Sequence, residues 1–204
     1  MDSKRRFFLS QFSRLTLFAV SGFANALETP HQSWGPFYPK RKPLDSDSDL
    51  TFVVGREGKA TGEITNLHGQ VLRTNGEPLP QAQIEIWQCD AFSTYHHPRV
   101  GGGVDPYFQG YGKTIADNEG RYRFKTIKPV AYPGRAPHIH FRIAAGSMEL
   151  VTQIYVQGHP ANEIDFLLNA VRDHKARQSL IIPFTQTIRE NSSELTAVFN
   201  PVIG

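Results

Sequence analysis

The chain has 204 residues, of which 39% are hydrophobic and 20% charged, and its formal net charge is +3. This length fits one domain with a substantial core, and the ample aromatic content excludes an intrinsically disordered chain. Residues 1–26 hold four basic residues against one acidic residue, so the rest of the chain is nearly neutral. A near-neutral body gives no electrostatic signal for nucleic-acid binding.

Residues 1–26 have the pattern of an export signal. A charged start with Arg5-Arg6 is followed by Phe8-Leu9, by an apolar stretch over 15–24 and by Ala24-Asn25-Ala26, which fits a cleavage site. The arginine pair favours the twin-arginine route over an ordinary secretory signal. The apolar stretch is too short for a membrane-spanning helix. We therefore expect a periplasmic or secreted protein, exported folded, with no stable membrane anchor after signal removal.

Residues 27–60 are predicted to form an irregular N-terminal arm, because prolines recur through the segment. Trp34, Phe37 and Tyr38 supply many aromatic rings for a loop. Such rings predict an arm that packs on the body of the protein. Trp34, Pro36 and Tyr38 are candidates for shaping an active-site pocket.

The remaining residues, 61–204, are predicted to form one folded domain. Apolar residues alternate along several short segments, as they do in strands with one buried face. The clearest strands are predicted at 82–88, 121–127, 138–143 and 150–156. Only residues 161–177 have helical spacing. This pattern favours a mainly β fold, a single-domain β-sandwich with long active-site loops and one short helix.

Two long loops interrupt these strands, at residues 90–112 and 128–137. Long loops in compact domains usually carry function. His96 and His97 in the first loop are predicted to be surface groups or outer neighbours of a site, since adjacent loop residues usually point apart.

Three residues near the first loop are predicted to have structural roles. Cys89 is the only cysteine, so no internal disulfide can form, and it is expected to be a small buried apolar residue. Trp87 and Phe108 are predicted to belong to the core rather than to stack on a substrate.

His138 and His140 lie at positions i and i+2 of a predicted strand. Their imidazoles therefore project from one face, opposite Ile139, Phe141 and Ile143. Two adjacent imidazoles can form half of a metal site, although solvated or hydrogen-bonded histidines give the same pattern.

Tyr95 in the first long loop and Tyr132 in the second add two phenols to these imidazoles. A phenol is a poor ligand while protonated, but a hard trivalent cation can displace its proton. Two tyrosinates and two imidazoles would form an anionic site suited to iron(III). The lack of thiolates argues against structural zinc or an iron–sulfur cluster.

The segment from residue 69 to residue 160 resembles the intradiol ring-cleavage dioxygenases, particularly the short protocatechuate 3,4-dioxygenase type. The matching stretches are GQVLRTNGEPLPQAQIEIWQCDAFSTYHHP, DPYFQGYGKTIADNEGRYRFKTIKPVAYPGRAPHIHF and LVTQIYV, with TPHQSWGPFYP in the arm. The resemblance implies Tyr95, Tyr132, His138 and His140 as ligands of an Fe(III) cofactor. Tyr132 resembles the ligand that leaves when the substrate chelates the metal.

The resemblance also implies a catalytic group of Arg135, Tyr132 and Gln153. Arg135 would stabilise negative charge on the substrate ring, and Gln153 would line the same pocket. The implied reaction opens a catechol-type aromatic with O₂ between its two hydroxylated carbons. Its product would be a muconate-type diacid.

The chain departs from the family at two places. Ala136-Pro137 stands in the reverse of the usual order, and Ser93-Thr94 stands where glycine is common. The sequence leaves open which catechol is the substrate, and whether the chain works alone or as a homo-oligomer.

Two other readings compete with an iron dioxygenase. Residues 69–86 and 120–124 also resemble transthyretin-like or carboxypeptidase-regulatory modules, which would bind a partner and carry no metal. Such a module leaves the tyrosines and histidines unexplained. A cupin-type enzyme also uses a His-x-His strand, but it needs a glutamate a few residues later. Here Glu149 is nine residues after His140.

Overall fold

The computed structural model describes residues 26–43, 45–100, 102–189 and 192–204. The export signal predicted over residues 1–26 thus lies almost wholly outside the described residues. Within those ranges, no helix is both long enough and apolar enough to cross a membrane.

Strands dominate the described part of the chain. They are β1 (Ile64–Gln70), β2 (Leu72–Arg73), β3 (Gln83–Trp87), β4 (Tyr111–Ile115), β5 (Arg121–Ile127), β6 (His138–Ala145), β7 (Met148–Val156), β8 (Ile181–Ile182), β9 (Phe184–Arg189), β10 (Ser192–Val198) and β11 (Val202–Ile203). The helical elements are a 3-10 turn (Pro160–Glu163), α1 (Phe166–Asn169) and α2 (His174–Ser179).

Two sheets stack to form the predicted β-sandwich. One has the strand order β5-β1-β10-β9 and the other has the order β4-β3-β6-β7-β8, while β2 pairs with β11. Phe124 from the first sheet and Phe141 from the second belong to the same buried apolar cluster. The core therefore lies between the sheets, and the mainly β fold is confirmed.

Strand β6 shows how period two divides the molecule. Ile139, Phe141 and Ile143 are each 0% exposed and belong to the core between the sheets. Burial of each such side chain stabilises the fold by about 1.5–3 kcal/mol. His138 and His140 project from the opposite face, away from the core, as their spacing predicts.

The residues with predicted structural roles are buried. Cys89 is a buried free cysteine, as expected. Phe108 packs in the core between the sheets, also as predicted. Trp87 is buried as well, but it belongs to a separate aromatic cluster on the far side of the second sheet.

The single helix predicted over residues 161–177 is instead divided into the 3-10 turn, α1 and α2. Asp165 and Asp173 have extended backbone conformations, and their side chains accept hydrogen bonds from the first N–H groups of α1 and α2. Each aspartate is an N-cap, which starts a new helix rather than continuing the previous one. The periodic apolar residues of this segment cannot reveal these interruptions.

The predicted loop over residues 90–112 is slightly shorter in the structure. Tyr111 begins β4, and it pairs with Trp87 at the end of β3. The loop thus leaves the sheet at Trp87 and returns to the same place. Its two ends are held together by the strand pair.

The arm packs along the body, as its aromatic content predicts. The Gln32 N–H donates to the carbonyl of Val151 at 2.7 Å, and the Leu50 N–H donates to the carbonyl of Lys125 at 2.8 Å. These bonds join the irregular segment to β7 and β5. The arm is therefore bonded to one strand of each sheet.

Candidate metal and substrate site

Four predicted ligands converge on the outer face of β6. His138 and His140 are each 1% exposed, and their ring centroids are 4.8 Å apart. The hydroxyl of Tyr95 lies 3.3 Å from Nε2 of His138. The ring of Tyr132 lies 5.4 Å from that of His138 and 5.7 Å from that of Tyr95. The structure thus brings the two phenols and two imidazoles together.

A tight turn presents Tyr132 next to Arg135. The Arg135 N–H donates to the Tyr132 carbonyl at 2.9 Å, and Gly134 has a φ of +83°. Proline followed by glycine with positive φ is typical of a type II turn. As a result, Nη1 of Arg135 lies 3.4 Å from the Tyr132 hydroxyl.

The loop that carries Tyr95 is shaped by a buried carboxylate and a strained serine. Oδ1 of Asp90 accepts the N–H groups of Phe92 and Thr94 at 2.9 and 3.0 Å. Ser93 has a φ of +63°, in the left-handed region that glycine usually occupies, and its hydroxyl donates to the Ala131 carbonyl at 2.8 Å. Ser93 therefore adopts a backbone conformation that glycine favours, and its hydroxyl ties the two loops together.

The hydrogen bonding of His138 leaves one ring nitrogen free for a metal. Nδ1 lies 2.6 Å from the carbonyl oxygen of Ala136. A carbonyl can only accept, so Nδ1 carries the proton and Nε2 presents its lone pair toward Tyr95. A metal-binding histidine usually has its second nitrogen held in this way.

Burial keeps both imidazoles neutral. Burial and the Arg135 guanidinium lower the pKa of His138 to about 4. Burial, His138 and Arg135 hold the pKa of His140 well below its ordinary value. Neutral imidazoles have a lone pair available for a cation at neutral pH.

The two phenols differ in environment. Burial raises the pKa of Tyr95 well above its ordinary value. Burial also raises the pKa of Tyr132, but the Arg135 guanidinium opposes that rise, and Tyr132 is only half-buried. Neither phenol would ionise unaided at neutral pH, so a strongly charged cation is needed to make them ligands.

His140 is a buried ring that makes no hydrogen bond to any described residue. Its Nδ1 is buried without a partner, and its ring stacks on Trp87 with centroids 4.7 Å apart. A buried polar group without a partner is costly. Within the described ranges, no group of three or more His, Cys, Asp or Glu side chains could hold a metal instead. The donors present therefore fit a cation such as iron(III) at this place.

Arg135 is held by a network of buried acceptors. Its Nε donates to Asp165 at 2.9 Å, and its Nη2 donates to Gln153 at 2.6 Å and to the Tyr155 hydroxyl at 3.3 Å. The remaining nitrogen, Nη1, is the one that faces Tyr132. The structure thus places the predicted Arg135, Tyr132 and Gln153 together at one edge of the four-ring cluster.

Sequence reasoning missed Asp165 and Tyr155. Tyr155 lies two residues after Gln153 in β7, so strand periodicity places both on one face and could have revealed it. Asp165 is 30 residues from Arg135 in the chain, and no local pattern connects them. Burial alone would raise the pKa of Asp165, but the N–H groups of Leu168 and Ala136 and the Arg135 guanidinium hold it below its ordinary value.

The arm covers the ligand cluster. Phe37 stacks on Tyr95 with ring centroids 4.6 Å apart, and a Cβ on Gly35 would lie 3.2 Å from Cε1 of His140. The carbonyl of Ser33 accepts a bond from Nε2 of Gln153 at 3.2 Å. The arm is therefore a wall of the site.

Two of the arm residues predicted to shape the pocket pack against Trp87 rather than against a candidate metal ligand. The rings of Trp34 and Tyr38 lie 6.0 and 4.9 Å from that of Trp87. The Tyr38 hydroxyl also donates to Glu85 at 2.7 Å, which joins the arm to β3. Trp34 and Tyr38 therefore pack behind the ring on which His140 stacks.

His96 and His97 surround the cluster without joining it. Nε2 of His96 lies 3.9 Å from Asp90, and its ring contacts Phe108. The ring of His97 contacts Phe37 edge-on, with centroids 5.9 Å apart. These positions match the interpretation of both histidines as outer neighbours of the site.

Comparison with known proteins identifies relatives of this chain. A family model described as Dioxygenase matches residues 34–203. The protocatechuate 3,4-dioxygenase beta chain of Burkholderia cepacia is 34% identical over 187 residues, covering 86% of this chain and 79% of that protein. Hydroxyquinol 1,2-dioxygenase of Rhodococcus opacus is 33% identical over 174 residues, covering 76% and 55%. The chain spans about half the length of such hydroxyquinol and catechol relatives.

A solved structure shares the fold along nearly its whole length. It is the dioxygenase domain of a dioxygenase carbohydrate-binding protein fusion from Streptomyces sp. SirexAA-E, with a TM-score of 0.62 and 26% identity. The match covers 86% of this chain and 97% of that domain.

Proposed function

Because the chain belongs to the intradiol ring-cleavage dioxygenases, a family of oxidoreductases, we propose that it cleaves a catechol-type aromatic with O₂ in an iron(III)-dependent reaction. The product would be a muconate-type diacid. The observation that carries this proposal is the convergence of two phenols and two neutral imidazoles beside the Arg135 guanidinium.

Tyr95, Tyr132, His138 and His140 would hold the metal. Bound iron(III) would supply Lewis-acid chemistry that makes a catechol ring reactive toward O₂. The protein supplies the geometry, since Nε2 of His138 and the Tyr95 hydroxyl already point to one place.

The two tyrosines would have different tasks. Tyr95 is 4% exposed and stacked under Phe37, so it would remain in place throughout the reaction. Tyr132 is half-buried, and Nη1 of Arg135 faces its hydroxyl. The substrate would therefore replace Tyr132, and the released phenolate could accept a substrate proton. No separate histidine base is needed for that step.

Arg135 would stabilise the charge of the bound substrate. The Arg135 side chain is 7% exposed, and its position is fixed by acceptors at two of its nitrogens, Nε and Nη2. A fixed donor in a site shielded from water stabilises developing negative charge more strongly than a mobile one. Gln153 accepts from this guanidinium and donates to Ser33 of the arm, so it would position Arg135 against the pocket wall.

Turnover with a panel of diols tests the proposal. The iron(III)-loaded protein would be given catechol, protocatechuate and hydroxyquinol under labelled O₂, with metal-free protein as the control. We expect O₂ uptake and a ring-opened diacid that contains both labelled atoms. A loaded protein that takes up no O₂ with any diol would contradict the proposal and favour a binding module.

We also propose that residues 1–26 direct export by the twin-arginine route. The support is the Arg5-Arg6 pair followed by an apolar stretch and a small-residue cleavage pattern. Replacement of both arginines by lysine should keep the protein in the cytoplasm. Wild-type protein should appear outside it with a new N-terminus at Leu27. Equal export of both forms would contradict the twin-arginine route.

A further inference from the structure

The carboxylate of Asp165 is fully buried between α1 and the loop that precedes β6. Oδ1 accepts the N–H groups of Leu167 and Leu168 at 3.1 and 3.0 Å. Oδ2 accepts the Ala136 N–H at 2.8 Å and Nε of Arg135 at 2.9 Å. One side chain thus caps a helix with one oxygen and anchors the loop of residues 128–137 with the other.

The other N-capping aspartate shows what capping alone requires. Asp173 accepts the Ala176 N–H at 2.8 Å at the start of α2, and it is exposed. A cap therefore needs neither burial nor a second partner in this protein. Burial of a charged carboxylate is costly unless its partners compensate, so the position of Asp165 calls for a further role.

That role follows from the shape of the guanidinium. A guanidinium is planar, and its N–H donors have fixed directions. Once Nε is bound to Asp165 and Nη2 to Gln153, the direction of Nη1 is set. Nη1 is the nitrogen that faces the Tyr132 hydroxyl.

We propose that Asp165 is a positioning residue, which aims Nη1 of Arg135 at the place where Tyr132 and the substrate exchange. This inference rests on the proposed function, because the exchange belongs to it. The Asp165 carboxylate makes no hydrogen bond to either phenol or either imidazole of the cluster among the described residues, so it would act through Arg135.

Two matched serine variants separate positioning from capping. Serine is a good N-cap, but it is too short to reach Arg135 and carries no charge. We expect Asp165→Ser to bind iron(III) normally and to lose about 10–100-fold in kcat/KM, as expected when a supporting partner is removed. Asp173→Ser should keep wild-type kcat/KM. If the Asp165→Ser variant does not fold, Asp165→Asn keeps the side-chain volume but replaces one acceptor oxygen by an N–H donor, so it cannot accept both from α1 and from Nε of Arg135. We expect the same direction of loss from that variant.

A double-variant cycle shows whether Asp165 acts through Arg135. In an Arg135→Gln background, Asp165→Ser should cause no further loss of kcat/KM, because the group that it positions is gone. An equal fold-loss in both backgrounds, or no loss in the single variant, would overturn the proposal.

Hydrogen exchange at Nε of Arg135 tests this inference without turnover, and therefore independently of the proposed function. The Nε–H signal of Arg135 in the NMR spectrum of the metal-free full chain should exchange slowly with water in wild type and Asp173→Ser. It should exchange fast in Asp165→Ser. A slow signal in Asp165→Ser would overturn the inference. If the iron(III)-loaded wild-type protein cleaves no catechol, the proposed function is wrong. The exchange rates of the three proteins would still decide whether Asp165 holds Arg135.

Discussion

The two faces of β6 are built in different ways. On one face, Ile139, Phe141 and Ile143 enter the core between the sheets, where strand alternation alone places them. On the other face, His138 and His140 meet groups from two long loops and the arm. The comparison teaches that one strand can carry stability and chemistry separately. Changes on one face should therefore leave the property of the other face largely intact.

The largest effect is expected from a change on the core face. Phe141→Ala would remove a ring that is 0% exposed and leave a cavity, so the free energy of unfolding should fall by about 3–5 kcal/mol. Denaturant titration measures this loss, and Ile143→Val, expected to cost about 1 kcal/mol, is the milder control. The fraction that stays folded should still bind iron(III). Loss of iron binding by folded Phe141→Ala protein would break the separation of the two faces.

A change on the site face should show the opposite pattern. His140→Ala should weaken iron(III) binding by more than about 100-fold, since even supporting groups around a metal contribute 10–100-fold. Its thermal stability without metal should change less than that of Phe141→Ala, because the His140 ring makes no hydrogen bond to any described residue. Iron content after dialysis against a chelator measures the effect, with His68→Ala in β1 as the control. Full iron retention by His140→Ala would exclude it as a ligand.

The sequence predicts the features of this fold that depend on local patterns, but not those that depend on contacts between distant segments. Period two is a local signal, so it identified β3, β5, β6 and β7 and the residues that they bury. The parallel pairing of β1 with β10 joins segments more than 120 residues apart, and no local pattern encodes it. The division of the predicted helix depends on side-chain caps at Asp165 and Asp173, which the apolar spacing does not show.

The sequence predicted the candidate ligands of the site, but not the residues that hold the loops and Arg135 in position. The His-x-His spacing and the resemblance to a family named the four rings that the structure brings together. Ser93 could not be expected to adopt a left-handed conformation, because its strain is offset by a bond to Ala131 in another loop. The bond between Asp165 and Arg135 likewise depends on tertiary folding.

A smaller effect should follow from a change in the arm. Gly35 has a φ of +68°, and an added Cβ would press on His140, whereas Gly55 has a φ of +81° and open space around it. Alanine at either position should cost about 1–2 kcal/mol of backbone strain. Only Gly35→Ala should also lower kcat/KM, by about tenfold, through displacement of the His140 ring. Equal activity of the two variants would show that the arm does not constrain His140.

The smallest effect should be seen in the chemical labelling of Cys89, which lies in the aromatic cluster on the site face of the second sheet. Burial raises the pKa of Cys89 to about 12. Only about one thiol in a thousand would be ionised even at pH 9, and the thiolate is the form that reacts. A thiol reagent should therefore label the native protein only as fast as it opens. Labelling within seconds at pH 8, without denaturant, would show that the site face opens independently of the core.

The visible absorption spectrum of the iron(III)-loaded protein tests the central claim most directly. Charge transfer from tyrosinate to iron(III) should colour the wild-type protein reddish, and a catechol added under nitrogen should shift the band. Tyr95→Phe and Tyr132→Phe should each weaken it. A protein that binds iron(III) but stays colourless would contradict a site built from Tyr95, Tyr132, His138 and His140.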